Sequence, residues 1–366
     1  MRVVIVGTGI VGLAIAEELS RQGIAVELFE QGQEAGRQAS WAAAGILSPY
    51  TEVKEPGPFF DLLLTAYQFF PETVIRLESL TGISLKYRAS GLLGLAFSDE
   101  DERELMAQMA WHERMGLRVE RLDSSRLKSV EPAVDGPVRL CLWWPQAAHI
   151  DNRKLVEAYL QLIQKQGAAV HLNSSVRKFV IERGKVIGVE TAQGITTADW
   201  IVDAMGSWEN SLLPFSVPVT PIKGQILQLR TNQELVHAVV KSPRGYLVQR
   251  DQEKLIAGTT LERAGFDTQV TEEARTGILA NAQQICSQVA SLLVEATWAG
   301  LRPGTPDGLP ILGTTPLGQL ILATGHYRNG ILLAPLTGRL MTELILRGKC
   351  SIDLEPFQIS RFLSAG

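Results

Sequence analysis

Residues 2–30, RVVIVGTGIVGLAIAEELSRQGIAVELFE, constrain the fold more than any other stretch of the chain. Residues 3–6 run apolar, Gly7, Gly9 and Gly12 form G-x-G-x-x-G, and residues 25–29 run apolar again. The pattern reads as strand, glycine-rich turn, helix and second strand. In such a unit the first glycine allows the tight turn, the second lets a pyrophosphate approach the backbone, and the third lets the helix lie close on the sheet. The phosphates meet unpaired N–H groups at the helix N-terminus, where the helix dipole favours negative charge. Glu30 ends the second strand 18 residues after Gly12, where an acidic side chain can accept ribose hydroxyls. The motif predicts dinucleotide binding and by itself does not separate FAD from NAD.

With 366 residues the chain exceeds one comfortable core, which predicts two interleaved domains. Its 35 basic and 39 acidic residues include no long basic run, so neither nucleic acid nor an anionic membrane surface is expected as the main partner. Cys141, Cys286 and Cys350 lie far apart, without metal-ligand or redox spacing, and read as plain thiols. Arg2 before an apolar run could imitate a secretory signal, but the fingerprint accounts for the same residues. No apolar stretch reaches the ~18 residues that span a bilayer. The expectation is a cytoplasmic protein without stable membrane insertion.

Further along, residues 31–50 are rich in small side chains and turn helical at 40–47, with Ser40 as a candidate cap. Residues 59–80 form an amphipathic helical stretch interrupted at Pro71, and 82–97 hold shorter, strand-like runs. Residues 99–115 read as a solvated helix with one apolar face, and His112 belongs to it and is not expected to be catalytic. Asp151 caps a helix whose Leu155, Val156, Tyr159, Leu162 and Ile163 share a face. A strand at 169–172, an alternating meander and a buried strand at 200–204 follow. Short strands near 224–229, 245–249 and 254–258, then a helix over 272–289, suggest a mixed sheet apart from the parallel one. The chain closes with a strand at 320–324 and a second strand-to-helix turn, in which Pro335 is tolerable only near the helix start. The predicted fold class is α/β, a discontinuous Rossmann-type domain (1–82, 150–212, 299–366) with an interleaved α+β domain on a mixed or antiparallel sheet (83–149, 213–298).

Five motifs together carry a resemblance: the fingerprint, SWAAAGIL, VDAMGSW, WAGLRPGTPDGLPILG and GHYRNGILLAP. They resemble the D-amino-acid oxidase family of FAD-dependent oxidoreductases, and within it the glycine-oxidising branch of thiamine biosynthesis. The last two motifs are the specific ones. The resemblance implies non-covalent FAD and oxidation of an amine's Cα–N bond to an imine, which water converts to a 2-oxo acid and ammonia. Molecular oxygen then reoxidises the flavin and yields hydrogen peroxide. It also implies a functional link to a thiazole synthase, and it leaves a homo-oligomer open.

By the same resemblance Gly7, Gly9, Ile10, Val11, Gly12, Glu30, Gln31, Arg37, Gln38, Ala39, Ala44, Gly45, Ile46, Val176 and Gly206 bind FAD. His326, Tyr327, Arg328, Asn329, Gly330, Ile331 and Leu332 cradle the isoalloxazine. A helix starting near Gly330 would aim its positive end at the N1 and C2=O side of the ring, where charge collects on reduction. On the substrate side Arg302 resembles the carboxylate-binding arginine and Tyr246 the tyrosine that shares that carboxylate. Arg328 resembles a second active-site arginine, with a structural link to the sheet as the other reading. A guanidinium suits bidentate carboxylate contact better than an ammonium. Ile46 and Leu261 stand where the branch can carry methionines. No paired carboxylates, metal cluster or nucleophile triad stands near these motifs, and a hydride transfer requires none. Oxidation of sarcosine or small D-amino acids, and a flavin- or nicotinamide-binding protein without turnover, remain the competing readings.

Overall fold

The computed structural model describes residues 1–208 and 212–363. Its first sheet has six strands in the order Ile311–Thr314, Leu320–Thr324, Trp200–Asp203, Arg2–Val6, Ala25–Phe29, Ala169–His171. All neighbours are parallel except Ile311–Thr314 with Leu320–Thr324. Strand order reverses beside Arg2–Val6, whose neighbours come from the two halves of the chain. In open α/β sheets ligands bind at such a switch point, outside the carboxyl ends of the strands.

Two long helices fix this sheet to the rest. Ile10–Arg21 follows the fingerprint and packs against Gly330–Arg347, where a Cβ on Gly338 would stand 2.6 Å from the Ala14 carbonyl oxygen. Only glycine permits that approach. The helix Pro58–Thr81 runs through Pro71 without the expected interruption. Phe60, Leu63, Phe70, Val74 and Leu77 are buried on both sides of the proline. At ~1.5–3 kcal/mol for each buried side chain, that stripe outweighs the ~3 kcal/mol that an interior proline costs. Pro335 lies inside its helix on similar terms, among buried neighbours.

The second sheet has eight strands in the order Leu293–Gly304, Thr220–Arg230, Lys254–Gly258, Gly245–Asp251, Val239–Ser242, Leu92–Ala96, Leu140–Trp144, Glu120–Leu122. It is antiparallel except where Val239–Ser242 meets Leu92–Ala96. Side chains alternate between its faces. Leu93, Leu95 and Leu247 join a core under the helix Glu272–Ile285, while Leu92, Ala96 and Val248 join one that includes Ala42, Ala44 and Trp298. The second of these faces looks toward the first sheet.

Three further expectations need correction. The break at 298/299 falls inside Leu293–Gly304, which pairs with Thr220–Arg230 along its length. We propose the domain boundary near 304 instead; the 209–211 and 364–366 parts of the expected domain lie outside the described residues. The 40–47 stretch is helical only over Ala39–Ala42, because Ala43 is extended and Gly45 takes a φ of +81°. Ser40 caps a different helix from the expected one: its Oγ accepts from the Ile10 N–H at 2.9 Å, in the first turn of Ile10–Arg21. Asp151 does cap Asn152–Lys165, and His112 is fully buried, where it accepts from the Trp144 indole at 3.1 Å.

Candidate active site

A cavity of about 680 Å³ opens between the two sheets, running from the carboxyl end of Arg2–Val6 to the face of the second sheet. At its fingerprint end the three glycines divide their work. Gly7 has a φ of +102°, and a Cβ there would stand 2.5 Å from the Ala204 carbonyl oxygen. A Cβ on Gly12 would stand 2.1 Å from the Gly7 carbonyl oxygen. The protein itself requires both of those glycines. At Gly9 a Cβ would find only Ser40 Oγ, at 3.5 Å, so the room beside it is left for something other than protein. The helix that begins there carries no acidic residue in its first turn. These residues fit a pyrophosphate.

Glu30 lies beside this turn with both carboxylate oxygens already oriented. Thr8 donates to Oε2 from its N–H at 3.2 Å and from its hydroxyl, and the Gly32 N–H donates to Oε1 at 2.8 Å. Gln31, Ser174 and Val176 continue the wall. The small-residue turn follows: Gln38, Ala39, Ala44, Gly45 and Ile46 line the cavity, and a Cβ on Gly45 would meet the Ile150 carbonyl oxygen at 1.9 Å.

The second turn closes the opposite wall. Gly325 has a φ of +72°, and Tyr327, a non-glycine, is held at +49°. The Tyr327 N–H donates to the Pro303 carbonyl at 3.0 Å, which ties the turn to the strand end that carries Arg302. His326 is 4% exposed, and its Nε2 meets Thr337 Oγ1 at 3.2 Å. Burial pulls its pKa down to about 4, so the imidazole is neutral. The helix Gly330–Arg347 starts at the cavity wall, with no acidic residue in its first turn.

Arg302, Tyr246 and Arg328 meet at the second-sheet end. The Arg302 guanidinium lies over Gly224, whose Cβ would stand 2.1 Å from Nη1. Nη2 donates to Thr259 Oγ1 at 2.9 Å and Nη1 to the Thr260 carbonyl at 3.4 Å. Both acceptors are neutral, and no carboxylate pairs with Arg302 among the described residues. Burial makes the charge costly and lowers its pKa, and Arg328 nearby adds to that. A half-buried cation with no carboxylate in contact, on which Glu52 acts only from further away, is arranged for an anionic ligand. The Tyr246 ring stacks against Gly258, where a Cβ would come within 2.5 Å of its hydroxyl. Burial raises the Tyr246 pKa, against the pull of Arg302, Arg250 and Arg328. Arg328 is exposed, with its guanidinium 5.2 Å from the Tyr327 ring.

Most residues singled out in the sequence therefore share one cavity, including Ile10, Val11, Gly206, Asn329, Gly330 and Ile331. Three do not line it. Gly12 packs beneath the turn, Leu332 lies in the core, and Arg37 stacks 4.2 Å from the Trp41 ring and pairs with Glu34. The sequence reading also missed a carboxylate. Glu52 lines the substrate end and binds Lys241, Oε1 to Nζ at 2.8 Å, with the Thr51 hydroxyl at 2.9 Å from the same nitrogen. Glu52 and Lys241 are 189 positions apart, so only the fold reveals the pair. Thr259 and Thr260 had a signal, since they directly follow an apolar strand end. No cluster of metal-ligating side chains occurs among the described residues.

A family model described as FAD dependent oxidoreductase, DAO, matches residues 2–344. The chain belongs to the DAO family of FAD-dependent oxidoreductases. This oxidoreductase is 37% identical over 99% of its length to a bifunctional ThiO/ThiG protein of Synechocystis sp., of which the match covers 54%. It spans about half the length of the first curated relatives it matches. The glycine oxidase of Pseudomonas putida is 32% identical, with 97% of each chain covered. The crystal structure of glycine oxidase from Geobacillus kaustophilus superposes with a TM-score of 0.94 at 31% identity, covering 99% of both chains. No helix of the described residues is long and apolar enough to cross a membrane.

Proposed function

We propose that this FAD-dependent oxidoreductase oxidises the Cα–N bond of glycine, or of an amine acid nearly as small, giving an imine that water converts to a 2-oxo acid and ammonia. The observation that carries the reading is the half-buried Arg302 guanidinium, whose two hydrogen-bond acceptors are both neutral, beside Tyr246 in the same cavity as the fingerprint. In this reading the Gly7–Gly9 turn and the following helix hold the FAD pyrophosphate, and Glu30 receives the ribose. The small residues 39–46 and the turn at 326–331 enclose the ring system. FAD, when bound, supplies a two-electron acceptor that molecular oxygen reoxidises with release of hydrogen peroxide. Arg302 binds the substrate carboxylate in a fork, Tyr246 shares it, and Arg328 guards the mouth. Catalysis then rests on positioning and on exclusion of water, and no side chain need act as a nucleophile.

The likeness to ThiO/ThiG and to glycine oxidases supports a role in supplying the imine to a thiazole synthase, and a cytoplasmic setting goes with it. The test is a panel of glycine, sarcosine, D-alanine and D-proline scored for peroxide. Glycine is expected to lead with sarcosine and D-alanine close behind, because one methyl group is worth only ~1–3 kcal/mol in such a pocket. Peroxide from none of the four, in protein that holds FAD, would favour the non-catalytic reading.

A further inference from the structure

Four consecutive backbone carbonyls in the small-residue turn face away from the cavity. Asn152 Nδ2 donates to the Ser40 carbonyl at 2.7 Å, Arg153 Nε to that of Trp41 at 3.3 Å, Trp298 Nε1 to that of Ala42 at 3.0 Å, and Arg250 Nη2 to that of Ala43 at 3.2 Å. None of the four donor side chains lines the cavity, whereas Ser40, Ala42 and Ala43 do. The lone pairs of the turn are thereby withdrawn from the face that meets a ligand.

Arg250 is the unusual member of this set. It is 6% exposed, and Nη2 also donates to Asn152 Oδ1 at 2.8 Å, yet Nε and Nη1 are buried without a partner. No carboxylate lies within ion-pair distance of it among the described residues. Asp151 and, more weakly, Asp251 act on it from further away. Arg250 and Tyr246 share one strand, and the Arg250 charge reaches the Tyr246 hydroxyl. Burying an unpaired cation is expensive, and a core packing role would be served at lower cost by an apolar side chain.

We propose that Arg250 is a positioning residue for the redox site: it holds the Ala43 end of the 40–43 turn directly and its Ser40 end through Asn152, and it supplies a positive charge with no carboxylate in contact behind that turn. The inference rests on FAD occupying this cavity but not on which substrate is oxidised. Its charge acts on whatever negative charge enters the cavity, whether a carboxylate or the ring system on reduction.

The experiment uses full-length, FAD-loaded protein and needs no turnover. The flavin midpoint potential is measured for the parent, Arg250→Met and Arg250→Lys, together with acetate binding read from the flavin absorbance. Arg250→Met is expected to shift the potential to more negative values and to weaken acetate about tenfold, the scale expected for charges roughly 10 Å apart at an effective dielectric near 20. Arg250→Lys is expected to restore both while releasing FAD faster, because it keeps the charge and loses the double contact. If the Met variant does not fold, Arg250→Gln, which can still donate to Ala43, takes its place. A neutral variant with the parent's potential and acetate affinity overturns the proposal, even if it retains FAD poorly. Failure of glycine oxidation with these shifts intact would instead count against the substrate assigned above.

Discussion

The two ends of the cavity are built on opposite terms. At the fingerprint end the polar side chains are already engaged: Glu30 holds Thr8 and Gly32, and Ser40 holds Ile10. At the second-sheet end Arg302 faces a hydroxyl and a carbonyl. The first end offers shape and backbone, fixed before any ligand arrives. The second offers charge, left uncompensated until a carboxylate arrives. Lys241 sharpens the contrast, since that cation has its own carboxylate, Glu52, and is not available in the same way.

The largest effect is expected at Gly12. A Cβ at 2.1 Å from the Gly7 carbonyl oxygen must displace backbone, so Gly12→Val should abolish FAD retention and lower Tm sharply. Gly9→Ala is the counterpart. It meets only Ser40 Oγ at 3.5 Å, and should fold with near-parental Tm while holding FAD poorly. If both variants lose stability equally, the division of labour between the glycines is wrong. Next comes Arg302→Lys, which keeps the charge and loses the fork. It should raise the apparent glycine constant at least tenfold, since a hydrogen bond to a charged group is worth ~1.5–3 kcal/mol. Arg302→Ala should cost more, with FAD content normal in both.

Smaller again is the effect of Ser40→Ala, which removes the cap of Ile10–Arg21 and should cost about 1 kcal/mol in denaturant unfolding. The smallest effect is a flat line. Burial holds His326 near a pKa of 4, so it is neutral above that value and gains a proton only as pH falls through it. His326→Gln should therefore leave the shape of the pH–rate profile between roughly pH 6 and 8 unchanged. A lost inflection there would make the histidine a participant.

What the sequence showed and what it hid follow the same division. The fingerprint is legible because turn, helix start and acidic strand end are neighbours along the chain, and the turn at 325–330 is nearly as local. Arg302 was legible through its flanking LRPGT, though only the fold shows that its partners are neutral. The capping of Ile10 by Ser40, the Lys241–Glu52 pair and the four outward carbonyls join residues 30 to 256 positions apart, and no spacing rule reaches that far. Pro71 misled for a different reason: a local breaking signal lost to a buried stripe that only the packed helix displays.

The central claim is that the uncompensated charge at Arg302 receives the carboxylate of a substrate that gives up its electrons in this cavity. Anaerobic titration of FAD-loaded protein with glycine, followed by flavin absorbance, tests it most directly. The account predicts bleaching of the parent, at least tenfold more glycine for the same extent in Arg302→Lys, and equal FAD content in both. Bleaching of Arg302→Ala at the parent's glycine concentration would contradict it and move the carboxylate to Arg328.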